Sequence, residues 1–161
     1  MLARKYEIQN QKNKGGRGLF AKVAFAKDEK VYDFHPALKP RATRTSVQVG
    51  MGQHAEGIDN ANDFLNHSCD PNVWIDTGSL CVRALRPIQA DEELTFNYLT
   101  TEWELHSPFQ CGCGSKKCFG KIGGFGRLDR QGRDRLRPLA APHVIAMAQE
   151  LAAVPAAARR A

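Results

Sequence analysis

The chain has no cysteine in its first 68 residues, and no apolar run long enough to cross a bilayer. It also has no internal repeat, and acidic residues become scarce after residue 114. Each absence excludes something. Lacking an apolar span, the chain is not expected to be a helical membrane protein. The opening residues, Met1 to Glu7, lack the apolar stretch of a secretory signal. The expectation is therefore an intracellular, cytoplasmic protein (nuclear if the source is a eukaryote), in a reducing compartment that favours metal over disulfide for clustered thiols. Without repeats, 161 residues read as one domain with its own core. Charge is uneven: residues 1–114 hold 13 Lys/Arg against 14 Asp/Glu, and residues 115–161 hold 10 against 3. The body is near neutral and the C-terminal part basic. That part could touch nucleic acid or another acidic surface, or simply be solvated.

The five cysteines carry the strongest signal. Cys111, Cys113 and Cys118 form a C-x-C-x4-C cluster, and Cys69 lies far upstream in Asn66-His67-Ser68-Cys69-Asp70-Pro71-Asn72. Four thiolates make a closed tetrahedral structural zinc site, which would tie two remote segments together. Gly112 and Gly114 supply the tight turns that aim neighbouring sulfurs at one point. Cys81, within Leu80-Cys81-Val82, reads as core.

Strand-length apolar or alternating runs dominate the body: Tyr6–Ile8, Gly18–Ala21, Glu29–Tyr32, Thr45–Val49, Asn72–Ile75, Leu80–Ala84 and Glu93–Phe96. Asp76–Ser79 reads as a hairpin turn. Pro142 opens a helix over His143–Leu151, with Val144, Met147 and Leu151 on one face, and Pro155 ends it. Gly126–Pro138, rich in Arg and Asp, reads as an exposed linker, and Ala156–Ala161 as a frayed end. The class is mainly β with a short C-terminal helix.

Four signals then occur in order: Gly16-Arg17-Gly18-Leu19-Phe20-Ala21, the Asn66–Asn72 heptapeptide, Glu93-Leu94-Thr95-Phe96-Asn97-Tyr98, and the cysteine cluster. Together they resemble the SET-domain family of S-adenosylmethionine-dependent protein-lysine methyltransferases with its post-SET segment, over about Gly15 to Gly124. The resemblance implies a β-clip in which Asn66–Asn72 and the segment ending at Tyr98 make a knot-like crossing. It divides the chain into a SET domain (1–106), a post-SET zinc segment (107–125) and a basic linker with helix and tail (126–161). It implies a zinc held by Cys69, Cys111, Cys113 and Cys118. It places the cofactor against Gly16, Arg17, Gly18, Leu19, Asn66, His67 and Ile122, with Phe119 and Phe125 as neighbours. Tyr98 matches the catalytic tyrosine, and Phe34 and Phe96 fall in the substrate channel. Phenylalanine at 96 resembles members that proceed to di- or trimethylation.

Three positions depart from the family pattern. Asp63 stands where arginine is common, Asn97 replaces a common aspartate, and Phe34 falls where a second active-site tyrosine often stands. The expected partner is a protein presenting a lysine, as in histone-lysine methyltransferases. Two rivals remain: a binding module that keeps cofactor or zinc without turnover, and a zinc-containing nucleic-acid-binding protein.

Overall fold

The computed structural model describes residues 4–11, 15–33, 36–57 and 61–154. Phe34 and the Ala156–Ala161 tail lie outside the described residues. Among the described residues twelve short strands appear in chain order: β1 (Tyr6–Asn10), β2 (Arg17–Ala21), β3 (Lys30–Asp33), β4 (Pro36–Lys39), β5 (Val47–Gly50), β6 (Gln53–Gly57), β7 (Asn66–His67), β8 (Val73–Asp76), β9 (Cys81–Ala84), β10 (Glu93–Phe96), β11 (Phe109–Gln110) and β12 (Lys121–Ile122). Two helices follow, α1 (Arg130–Leu136) and α2 (Pro142–Ala153). Neither is long and apolar enough to cross a membrane.

The strands form four small sheets, ordered β1-β2-β10-β7, β3-β9-β8, β4-β6-β5 and β11-β12. In the first, β2 pairs antiparallel with β1 and β10, so Leu19 sits between Ile8 and Leu94. Leu19 and Leu94 are fully buried in a core shared with Phe25, Val73, Val82 and Ile88. The hairpin of β8 and β9 buries Val73, Ile75 and Val82, and turns where Asp76 Oδ1 accepts from Ser79 N at 3.1 Å. Cys81 is buried, as its apolar neighbours predicted.

A second core lies beneath the cysteine cluster. Cys69, Leu99, Ile122, Phe125, Leu136, Ala141 and Val144 pack together there. Leu136 and Val144 come from the two helices, so the C-terminal part completes this core. The expected linker at Gly126–Pro138 is therefore corrected to a packed helix. Asp129 caps α1 by accepting from Gly132 N at 2.7 Å. Arg133 donates to the carbonyls of Phe125 (3.3 Å) and Gly126 (2.8 Å). Arg135 stacks on the Phe119 ring at 4.2 Å and donates to Lys117 O at 2.9 Å. Arg133 thus ties α1 to the Phe125–Gly126 turn, and the exposed Arg135 ties it to the cysteine loop.

α2 begins at Pro142 as expected, and its Val144 is buried. Leu151, expected on the same face, is 38% exposed because the packed face ends near Met147 and Ala148.

Gly124 is where this second core is tightest. Its φ is +122°, and a Cβ there would collide with the Trp103 carbonyl and lie 2.7 Å from Glu104 Cα, both backbone. Strain and overlap act together, so Gly124→Ala is expected to cost about 2–4 kcal/mol. Urea unfolding reads this directly, and an unchanged midpoint would refute it.

Candidate active site and metal centre

The chain crosses itself where β7 lies parallel to β10, with Asn66 opposite Thr95 and His67 opposite Phe96. Side chains of the heptapeptide lock this crossing. Asn72 is buried; its Oδ1 accepts from Thr95 N at 2.8 Å and its Nδ2 donates to Glu93 O at 2.8 Å. Ser68 N donates to Phe96 O at 3.0 Å. An asparagine that carries both an acceptor and donors can replace ladder bonds where no regular strand fits.

His67 and Tyr98 meet across the crossing. His67 Nδ1 accepts from Tyr98 N at 3.1 Å, and Nε2 lies 3.3 Å from Cys69 Sγ. Burial lowers His67 to about 4, so the ring is neutral and its proton sits on Nε2. The Tyr98 hydroxyl donates to Leu65 O at 3.0 Å. Burial first, and then the charges of Glu102 and Glu93, push the Tyr98 phenol up to about 12. Near neutral pH it is a hydrogen-bond donor, not a base. Its ring packs against Phe96 at 4.8 Å, His67 at 5.2 Å and Phe109 at 6.2 Å.

A cavity of about 530 Å³ opens beside these rings, lined by Asn66, Phe96, Tyr98 and Phe109 on one side and by the Thr43–Val47 segment on another. The Gly16-Arg17-Gly18 turn reaches it through Asn66, whose Nδ2 donates to Arg17 O at 2.9 Å and to Glu93 Oε1 at 2.9 Å. Gln11 Nε2 donates to the same Glu93 oxygen at 2.7 Å. A Cβ on Gly18 would stand 2.5 Å from Glu93 Oε1, so glycine leaves this carboxylate its place. Arg17 itself turns outward and stacks on Phe64 at 4.4 Å.

Of the residues expected beside the cofactor, Asn66 lines this cavity; Gly16, Arg17, Gly18 and His67 are not among its lining residues, and Leu19 and Ile122 have side chains fully buried in the two cores. The strand pair explains Ile122. Phe109, its partner in register, is the more exposed of the two and lies 5.6 Å from the His67 ring. Phe119 lies under Arg135, and Phe125 packs with Trp103, ring centroids 6.5 Å apart. Phe109, Glu93 and Glu102 are site residues that the sequence reading missed. An exposed aromatic two positions before the first clustered cysteine was the available sign for Phe109.

The four sulfurs of Cys69, Cys111, Cys113 and Cys118 lie within 4.8 Å of one another. Cys69 Sγ is 3.8 Å from Cys111 Sγ and 3.9 Å from Cys118 Sγ. A tetrahedral zinc with Zn–S bonds of about 2.3 Å needs sulfurs about 3.8 Å apart. The set therefore fits zinc, and none of these cysteines is in a disulfide. Burial, with the neighbouring sulfurs, pushes the Cys69 thiol well above its ordinary range, against the pull of the Phe119 N–H. A cation at the centre is what would hold these groups as thiolates. Gly114, at φ +71°, makes the bend the cluster needs, whereas Gly112 requires no special backbone.

Comparison with known proteins places this geometry. The family profile described as SET domain matches residues 16–99. The methyltransferase flvH of Aspergillus flavus is 41% identical over 110 residues, covering 67% of this chain and 60% of that protein. A histone-lysine N-methyltransferase of Aspergillus fumigatus, H3 lysine-36 specific, is 40% identical over 77 residues, covering 44% of this chain and 8% of that one. The chain thus spans 60% of the first relative's length and under a tenth of the second's. The crystal structure of KRYPTONITE in complex with mCHG DNA and SAH superposes with a TM-score of 0.57 over 72% of this chain and 28% of that one, at 18% identity, a likeness of fold alone. With the profile covering half the sequence, and the β7–β10 crossing, the cavity and the four-sulfur cluster lying in and around the matched stretch, the chain belongs to the SET-domain family.

Proposed function

We propose that this chain is a protein-lysine N-methyltransferase using S-adenosylmethionine, with a structural zinc. One observation carries the reading: Asn66, Phe96, Tyr98 and Phe109 line one cavity beside the β7–β10 crossing, and Asn66 bonds the Gly16–Gly18 turn through Arg17 O. When bound, the cofactor supplies an electrophilic methyl group on a sulfonium.

The protein's own contributions follow from its bonds. Both Asn66 Nδ2 hydrogens are committed, one to Arg17 O and one to Glu93 Oε1. Its Oδ1 is left to accept from the cofactor ammonium, and Glu93 fixes that orientation. Backbone N–H groups of the Gly16–Gly18 turn suit the cofactor carboxylate. His67 and Phe109 offer an edge and a face to the adenine. Tyr98 keeps its proton and orients the incoming nitrogen or polarises the methyl group, so catalysis is mostly alignment. Phe96, buried beside Tyr98, bounds the lysine channel in this reading, and the sequence match assigns Phe34, outside the described residues, to the same channel. The zinc, held by the four cysteines, has no open position for water and serves architecture.

The division into a SET domain (1–106), a post-SET segment (107–125) and a C-terminal part (126–161) belongs to this reading, amended by the docking of both helices. The excess of positive charge after residue 114 supports an acidic partner there, nucleic acid included. The testing experiment incubates the purified protein with labelled S-adenosylmethionine and lysine-bearing peptides, and locates the methyl group by mass spectrometry. Cofactor binding without label on any lysine would favour a binding module instead.

Product state is set at Phe96. Its ring centroid is 4.8 Å from that of Tyr98, so a hydroxyl added there enters the same crowded wall and can hold a methylated amine back. Phe96→Tyr is expected to shift products toward monomethyl-lysine by about tenfold, roughly the 1.4 kcal/mol of one neutral hydrogen bond. An unchanged ratio of mono-, di- and trimethyl products in the mass spectrum would refute this.

A further inference from the structure

Glu102 is a buried carboxyl with no assigned task. It lies four residues beyond Tyr98, is 5% exposed, and lines the cavity. Its backbone N–H donates to Tyr98 O at 3.0 Å. Oε1 accepts from Gln48 N at 2.7 Å and from Thr101 Oγ1 at 3.1 Å. Gln48 replies across the same junction, its Oε1 accepting from Trp103 N at 2.8 Å. This clamp seats β5 against the segment after Tyr98. It uses only one carboxylate oxygen, and among the described residues nothing bonds Oε2.

A clamp alone does not need a charge, because glutamine has the same acceptor in the same place. A carboxylate buried without a cation is costly. Among the described residues no lysine or arginine pairs with Glu102, and burial pushes it up to about 7, against the bonds from Gln48 N and Thr101. The groups around it do not supply the missing charge. Tyr98 is a neutral phenol. His143, whose Nε2 lies 2.7 Å from Thr101 O, and His54 on β6 are both lowered by burial. Asp63, Arg44 and His106 line the same cavity without bonding Glu102. An acidic wall in a cavity lined by aromatic rings complements an ammonium on an aliphatic arm.

We propose that Glu102 receives the ammonium of the substrate lysine and takes its proton before methyl transfer. The balance is simple. One Nζ–H bond breaks and one O–H bond forms on the Glu102 carboxylate, so ammonium and carboxylate become amine and carboxylic acid. The freed lone pair on Nζ is the nucleophile, and the acid later returns its proton to solvent through the cavity. The aromatic surroundings lower the lysine pKa from its ordinary value of about 10.4 toward that of the acceptor. This inference rests on the methyl-transfer reading.

The test compares kcat/KM for wild type and Glu102→Gln from pH 6.5 to 10, on the best-methylated lysine peptide from an array. Glutamine keeps the Oε1 acceptor. The expected deficit is about a hundredfold at pH 7, the lower end of general-base effects, and it shrinks about tenfold per pH unit as lysine deprotonates unaided. S-adenosylhomocysteine affinity stays within twofold. A deficit equal at every pH, no deficit, or a parallel loss of S-adenosylhomocysteine affinity overturns the proposal.

Two further readouts need no turnover. A carboxyl raised by burial binds its proton better folded than unfolded, so wild-type stability falls as pH rises from about 4.5 to 7 and then levels. Glu102→Gln removes that slope, and an identical slope in the variant overturns the proposal. If the variant does not fold, 13C-carboxyl titration of the wild type takes its place. Binding of the lysine peptide should lower the Glu102 pKa, and no change overturns the proposal. A wild type that methylates no peptide overturns the methyl-transfer reading itself, and this inference with it.

Discussion

Removing the metal, or replacing Cys69 by serine, is expected to abolish methyl transfer and to weaken S-adenosylhomocysteine binding by at least about a hundredfold. The reason is where Cys69 lies. It sits two residues after His67 on the crossing strand, and its sulfur meets Cys111 at 3.8 Å and Cys118 at 3.9 Å across a separation of more than 40 residues. Among the described residues the one ion pair between these segments is weak: Lys117 pairs with Asp70 at 3.0 Å, but both side chains are exposed, and such pairs contribute little. A structural zinc site contributes on the order of 10 kcal/mol or more, comparable with the whole stability of a domain this size. Without it the cysteine loop loses its anchor, and Phe109 loses its place beside His67 and Tyr98. The second core, which contains Cys69, Ile122 and Phe125, opens with it. The first core holds no cysteine of the cluster and should keep its strands. Elemental analysis, calorimetry with S-adenosylhomocysteine and limited proteolysis before and after chelation measure all three effects. Zinc-free protein that keeps both affinity and protease resistance would refute the expectation.

The same contrast shows why one half of the site was legible in the sequence. Cys69, Asn66 and His67 announced themselves because they share a short polar motif that has no use in a plain strand, and Tyr98, at the end of an ordinary-looking strand, was singled out only by its order among the other motifs. The longer strands were equally plain, since β2, β8, β9 and β10 alternate or run apolar. β4 and β6 were not. Pro36–Lys39 is largely exposed, and Gln53–Gly57 carries His54 and Glu56, so neither shows the apolar period that marks a strand. Their pairing is set by each other and by β5, not by local preference. β7, β11 and β12 have two residues each and exist only through long-range bonds. The arginines of α1 misled for a different reason. Charge normally marks solvent, but a guanidinium can bridge carbonyls and cover a ring at once, as Arg135 does at Lys117 and Phe119. Glu102 was hidden because Thr100-Thr101-Glu102-Trp103-Glu104 carries no recognisable pattern. Only the fold brings Gln48 to it from 54 residues away.

Tyr98→Phe should lower kcat by about a thousandfold while leaving S-adenosylhomocysteine affinity within threefold. The ring would stay seated, because Phe96, His67 and Phe109 hold it by contacts that do not involve the hydroxyl. What disappears is the phenol oxygen, whose lone pairs can face the reacting nitrogen or methyl group while its proton is held by Leu65 O, and a single preorganised polar group of that kind is worth about 2.7–4 kcal/mol in the transition state. The Leu65 carbonyl loses its donor, a cost of about 1 kcal/mol to stability, small enough to leave the protein folded. The pH dependence separates this residue from its neighbour. With the phenol held up to about 12, Tyr98 does not titrate between pH 6.5 and 10, so the deficit should be flat across that range. The Glu102→Gln deficit should instead close as pH rises. If the two variants gave parallel profiles, the division of labour between an orienting hydroxyl and a proton-accepting carboxylate would fail, and a Tyr98→Phe protein retaining half its rate would remove the hydroxyl from the chemistry altogether.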